Sequence, residues 1–179
     1  PAASLIQAVE HQALVAVMAE RAGVVVPAVR QVIKTADGSA LLAMERVDGG
    51  SLDRIPGQDI SETMLRELWK QVDGLHRAGI AHRSLRAANI VADRTGRPWI
   101  VDFSFSELGA TQRQMALDVA ELLASLAAMV GAGRAVGSAV AVIGPDGVAA
   151  AVPLLQPLAL SAGTRRAIAR HDGLLTSTR

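Results

Sequence analysis

His82-Arg83-Ser84-Leu85-Arg86-Ala87-Ala88-Asn89 is followed, thirteen positions after its asparagine, by Asp102-Phe103-Ser104. Between them lie two short apolar runs, Ile90-Val91-Ala92 and Trp99-Ile100-Val101, joined by Asp93-Arg94-Thr95-Gly96-Arg97-Pro98. Runs of that kind around a turn containing Gly and Pro predict a β-hairpin. A hairpin returns the chain on itself, so the residue before its first strand and the residue after its second become neighbours. Here those are Asn89 and Asp102, an amide oxygen and a carboxylate. Two oxygen donors fixed by a rigid hairpin suit a hard divalent cation. A lone Asp after a strand is more often a cap or turn residue, so it is the spaced pair that points to metal or nucleotide binding.

Working outward, Ser61 is an N-cap signal, and Leu65, Leu68, Trp69, Val72 and Leu75 follow at helical spacing until Gly79 closes the helix. Further upstream, Leu5, Val9, Leu14, Val17 and Met18 predict an amphipathic helix over about residues 4–21, with Gly23 as its C-terminal signal. Val24-Val25-Val26 and Val29 to Ile33 read as β segments, Pro27 confining the first to an edge or a loop. Asp37-Gly38 predicts a hairpin turn, Ala40 to Val47 the returning strand, and Asp48-Gly49-Gly50 its break. From about Ala116 the pattern is helical, with breaks near Gly131–Gly133, Gly144-Pro145, Pro153–Pro157 and Gly173. A polar tail begins at Thr176. Strands and helices are segregated, which is an α+β order.

Composition narrows the class. A chain of 179 residues holds one domain with a real core, or part of a larger one. The net charge of +1 and scattered arginines predict no nucleic-acid partner. The absence of Cys excludes disulfides and structural zinc, and fits a reducing compartment. Pro1-Ala2-Ala3-Ser4 has no basic start, so no signal peptide is expected there. Mean hydropathy is high at +0.30. Yet only 12 residues separate Glu121 from Arg134, about 18 Å of helix against the roughly 30 Å of a bilayer core. Val148 to Leu160 is broken by Pro153 and Pro157. Buried helices, not membrane spans, are expected.

The two motifs together resemble the protein-kinase-like superfamily, whose frame is H-R-D-L-x-x-x-N followed by D-F-G. The resemblance implies an incomplete N-terminal lobe over 1–48 (a helix and a small antiparallel sheet). A mainly helical C-terminal lobe with the catalytic-type hairpin follows over 49–175, and a tail over 176–179. It implies ATP and Mg²⁺ as cofactors, with Asn89 and Asp102 as metal ligands. Leu41-Leu42-Ala43-Met44-Glu45-Arg46-Val47 resembles the hinge strand that meets adenine, which implicates Glu45 and Val47. Glu10 stands where the family places the Glu that pairs with an ATP-contacting Lys. His82 and Arg83 are expected to brace the loop, and Asp118, on an apolar helix, to brace its backbone. The fifteen residues between Asp102 and Asp118 are too few for a protein-kinase activation segment. This is similar to the small-molecule branch, such as aminoglycoside-phosphotransferase-like proteins.

Departures from the frame bear on activity. Ser84 stands at the general-base position, and a hydroxyl does not take a proton at neutral pH as a carboxylate does; general-base catalysis is worth roughly 10²–10⁴-fold. Ser104 replaces a glycine and its backbone freedom. Neither a Gly-rich loop nor its Lys strand is present in these residues. A closer resemblance is carried by Val9-Glu10-His11-Gln12-Ala13-Leu14, the 82–89 loop and Trp99-Ile100-Val101-Asp102-Phe103-Ser104-Phe105-Ser106-Glu107. It is to actinobacterial membrane proteins with a kinase-like cytosolic region ahead of a lysylphosphatidylglycerol-synthase or flippase-like part, in which Ser84 would be a family trait. It implies a cytoplasmic location at the inner face of the plasma membrane. The partner would be the membrane-embedded part of the same polypeptide or another protein. The expectation is a pseudokinase-like regulatory or scaffolding domain with weak nucleotide and metal binding. An active small-molecule phosphotransferase and a scaffold without ligand stand as alternatives. Ser84 as a nucleophile finds no partner base beyond His82, and His11 and His171 read as incidental.

Overall fold

Ser61 opens the strongest helix, α2 (Glu62–Arg77), its hydroxyl accepting the Met64 amide at 3.1 Å. Such a cap is worth about 1 kcal/mol. The computed structural model describes residues 5–155; the expected breaks at Pro157 and Gly173, His171 and the tail lie outside the described residues. Met64, Leu65, Leu68, Trp69, Val72 and Leu75 form the buried face of α2. Trp69 is fully buried, and its indole N–H donates to Ser138 Oγ at 3.1 Å on α4 (Ala132–Ala151). A buried indole nitrogen needs such a partner. Gly79, at φ 72°, carries the chain out of α2.

Ahead of this spine, α1 (Leu5–Arg21) packs through Ala13, Val15, Ala16 and Ala19. It lies against the antiparallel pair β1 (Val29–Lys34) and β2 (Ala40–Met44), which turn at Asp37-Gly38. Val24-Val25-Val26, expected as a β segment, is instead an extended connector. Its Val25 amide donates to Gln71 Oε1 at 2.5 Å and its Val25 carbonyl accepts the Ile100 amide at 2.9 Å. Side-chain and single backbone bonds satisfy it without a ladder.

A second correction concerns Gly49-Gly50. The expected break is a strand, β3 (Gly49–Ser51), paired antiparallel with β5 (Ile90–Asp93), which in turn pairs with β6 (Pro98–Ile100). A Cβ on Gly49 would lie 2.1 Å from the Ala92 carbonyl oxygen. Glycine is therefore what permits the strand rather than what ends it. A two-residue ladder that the pattern did not announce joins β4 (Ile80–Ala81) to β7 (Glu107–Leu108).

Helix α3 (Gln112–Val130) starts earlier than Ala116 because Thr111 and Gln114 form a capping box. Gly131 separates it from α4, and Gly144 (φ 75°, ψ 168°) with Pro145 kinks α4. By length and composition alone Ala132–Leu154 is apolar enough to cross a membrane, with a mean hydropathy of 1.6. The expected absence of any such stretch is corrected to that extent, because the helix runs on through Arg134, Gly144 and Asp146. It packs on α2 and α3 through Ala135, Ser138, Ala139, Val148 and Ala151. The fold is thus α+β, with small antiparallel sheets beside a helical body, compatible with part of a kinase-like fold.

Candidate functional site

The 82–89 loop runs from β4 to β5 and Asp102 leaves β6, so both motifs meet at one end of the β5–β6 hairpin. The Val101 amide donates to the Asn89 carbonyl at 3.0 Å, which carries the pairing one step past Ile90 and Ile100. Asn89 is buried, and its side-chain amide donates to the Ser84 carbonyl (2.8 Å) and to Ser84 Oγ (3.1 Å). With Nδ2 so committed, Oδ1 is the atom left to accept or ligate. Asp102 is exposed, and its Oδ1 accepts the Ser104 hydroxyl at 2.5 Å.

A buried carboxylate holds the loop. Asp118, on α3 and 1% exposed, accepts the backbone N–H of His82 at 2.6 Å on Oδ2 and that of Arg83 at 2.7 Å on Oδ1. His76 Nε2 also lies 3.3 Å from Oδ2. A charge this deep needs such donors, because an unpaired one costs several kcal/mol. The Ala87 amide is tied to Ser125 Oγ at 2.9 Å, a second link to α3. Among the described residues the non-glycine positions with positive φ are Arg83 (63°) and Asp102 (68°), one in each motif. That conformation is uncommon outside glycine, and such residues gather at functional sites.

His82 joins the two motifs. Its ring is fully buried, Nε2 lies 3.0 Å from the Val101 carbonyl, and the ring packs 5.0 Å from that of Phe103. Nδ1 has no hydrogen-bond partner. Burial pushes its pKa below the usual histidine value, against the smaller opposing pull of the Asp118 charge. His82 is therefore a neutral strut facing Val101, not a base on Ser84. The Arg83 guanidinium pairs with Glu107, which also accepts the Gln114 side-chain amide. Loop, β7 and the start of α3 form one polar chain.

The other expected residues share no hydrogen bond with this cluster among the described residues. Glu45 has its amide donating to the Ala28 carbonyl (2.8 Å) and its carboxylate accepting the Ala28 amide (3.2 Å), so both are used to extend the β1–β2 pair. Val47 sits half-buried in the connector to β3. Glu10 is exposed on α1 and makes no ion pair among the described residues. Its neighbour His11, read from the sequence as incidental, places Nε2 2.9 Å from the Ser106 carbonyl, linking α1 to the segment after Asp102. Arg86 is a further residue of this loop. It is half-buried two positions after Ser84, with no ion pair among the described residues. A cation inside an eight-residue loop that also carries Asn89 was the available signal.

The donor set fits Mg²⁺. The ion favours hard oxygens, keeps several waters, and is commonly held by one or two carboxylates plus substrate phosphates. Among the described residues no group of three or more His, Cys, Asp or Glu forms a metal cluster. Asp102 and Asn89 would thus supply part of a shell that phosphate oxygens complete.

Comparison with known proteins gives partial matches to kinases. No protein-family model matches the chain. It is 36% identical over 83 residues to a serine/threonine-protein kinase of Schizosaccharomyces pombe, covering 42% of this chain and 6% of that protein. It is 37% identical over 70 residues to CBL-interacting serine/threonine-protein kinase 21 of Arabidopsis thaliana, covering 36% and 17%. It is 34% identical over 65 residues to a 3-deoxy-D-manno-octulosonic acid kinase of Xylella fastidiosa, covering 36% and 26%. Over about two-fifths of its length the chain is kinase-like. It spans about a quarter or less of these relatives, and nothing in them bears on the finer resemblance to flippase-like membrane proteins.

Proposed function

We propose that this chain is a kinase-like regulatory domain that binds a nucleotide and a divalent cation and transfers phosphate slowly or not at all. The observation that carries the reading is the state of Ser84. Its hydroxyl accepts the Asn89 amide, while the nearest base in sequence, His82, is turned to Val101. A serine hydroxyl without an activating base is a poor proton acceptor. When bound, Mg²⁺ would neutralise phosphate charge. Asp102 Oδ2 and Asn89 Oδ1 are the chain's own groups for it, and Arg86 is a cation in the same loop as Asn89. In this reading the lobes divide at Asp48–Gly49, Asp118 and His82 fix the loop, and Glu45 and Val47 border the nucleotide.

Thermal melting with MgATP tests binding. A ligand at 100 times its Kd stabilises by about 2.7 kcal/mol, and absence of any shift rejects the nucleotide reading. Assays of ATP turnover and of transfer to small-molecule acceptors then test the chemistry. Wild-type turnover near background, raised about 10²-fold in Ser84→Asp, is the expected result. Brisk wild-type transfer that disappears in Asp102→Asn would instead favour the alternative of an active phosphotransferase, since phosphoryl transfer depends largely on positioning and charge. A membrane context belongs to the same proposal, with the membrane-embedded part of a longer polypeptide as partner. Ala132–Leu154 supports it by length and composition, whereas its kink and its packing on α2 and α3 suit a core helix. Flotation of the chain with anionic lipid vesicles separates these.

A further inference from the structure

Ser104 stands where the kinase frame has glycine, and from sequence it counts only as a loss. Its side chain does something glycine cannot. The hydroxyl donates to Asp102 Oδ1 at 2.5 Å, and the Ser104 amide approaches the same oxygen at 3.4 Å. Asp102 itself is exposed, at φ 68°, on a segment between β6 and β7. An exposed carboxylate samples several rotamers, and ligation stops that motion at an entropic penalty. Here both hydrogen bonds that steady it come from Ser104 and fall on one oxygen, leaving Oδ2 for a cation.

We propose that Ser104 is a positioning residue for cation binding: it pre-orients Asp102 and makes it a ligand through Oδ2 alone. This rests on the reading that Asn89 and Asp102 hold a divalent cation. Two effects of the hydroxyl oppose each other. Donation to Oδ1 draws charge from the carboxylate, which weakens its grip. Orientation removes rotamer freedom, which strengthens it. The donated hydrogen sits on the oxygen that does not ligate, so charge withdrawal acts at second hand and orientation acts directly. Hydrogen bonds that orient a metal ligand typically change affinity by 10–100-fold when lost. With only two protein oxygens in the set, the loss is felt in full.

The test is titration of the whole chain with Mn²⁺ alone, followed by electron paramagnetic resonance of the free ion. Ser104→Ala and Ser104→Gly are expected to bind about tenfold more weakly than wild type. Ser104→Thr, which keeps the hydroxyl, restores wild-type affinity. The four proteins melt alike without Mn²⁺, because Ser104 is exposed. Ala and Gly variants that bind as tightly as wild type or tighter, while Asp102→Asn binds nothing, would overturn the role of Ser104 and leave the cation site standing. A Thr variant as weak as Ala also overturns it. Binding of Mn²⁺ by none of the proteins removes the cation site and this proposal with it.

Discussion

His82 shows how much a single side chain decides here. It is buried and neutral, with Nε2 on the Val101 carbonyl, Nδ1 unpartnered, and a pKa held below 6.5 by burial. Its linkage to stability follows in sign. Below pH 6.5 the unfolded chain takes up a proton that folded His82 refuses, so stability falls as pH drops from 6.5 toward the folded pKa. The slope approaches about 1.4 kcal/mol per pH unit for one proton. Urea unfolding at pH 7.5, 6.5 and 5.5 is expected to show a steeper loss in wild type than in His82→Phe, which cannot titrate. Parallel curves for the two proteins would mean that His82 is not the group. The residue scale is also where the sequence was least complete. Asn89 and Asp102 were legible because a hairpin of that length makes their adjacency a geometric consequence. The Ser104 hydroxyl on Asp102 was not, because a local rotamer leaves no trace in residue pattern.

At the scale of elements, what sequence pattern reveals is a chain's own periodicity, not its neighbour's. Helix α2 was readable from Ser61 to Gly79 because capping and a buried stripe lie within one segment. Gly49-Gly50 was misread because the reason for glycine there is the backbone of β5, over 40 positions away. The two glycines differ sharply, since a Cβ on Gly49 meets the Ala92 carbonyl at 2.1 Å whereas one on Gly50 meets nothing within 4 Å. Gly49→Ala is therefore expected to destabilise by more than about 2 kcal/mol as β3 is pushed from β5, and Gly50→Ala by less than about 1 kcal/mol. Chemical denaturation of both variants checks this, and equal effects would contradict the pairing of β3 with β5. Thr111 and Gln114 teach the converse lesson. Their capping box is present in the sequence as Thr-x-x-Gln, ahead of the apolar run that begins at Ala116.

Across the whole molecule, the helical body is locked by long-range polar bonds. Trp69 reaches Ser138, and Arg134 reaches Glu62 and the Gly57 carbonyl. Helix α1 is held more lightly. Its buried residues are three alanines and Val15, and Leu5, Leu14, Val17 and Met18 are exposed. The His11 bond to the Ser106 carbonyl spans 95 positions and joins it to the segment after Asp102, a contact no local reading could supply. Loss of that bond in His11→Ala is expected to speed amide hydrogen exchange in α1 several-fold and leave α2 and α3 unchanged, since local openings draw on local contacts. Uniform change across the three helices, or none, would show that α1 is anchored otherwise.

The Asp118 brace has an implication for how such a domain can diverge. It grips the backbone of residues 82 and 83, and the Asn89 amide finds the carbonyl of residue 84 whatever side chain that residue bears. The shape of the loop is thus insured against substitution at position 84. Exchange of Ser84 for a carboxylate would give up only the bond from Asn89 to the Ser84 hydroxyl. Under the proposed function, the folded loop would accept a carboxylate at position 84 without being rebuilt.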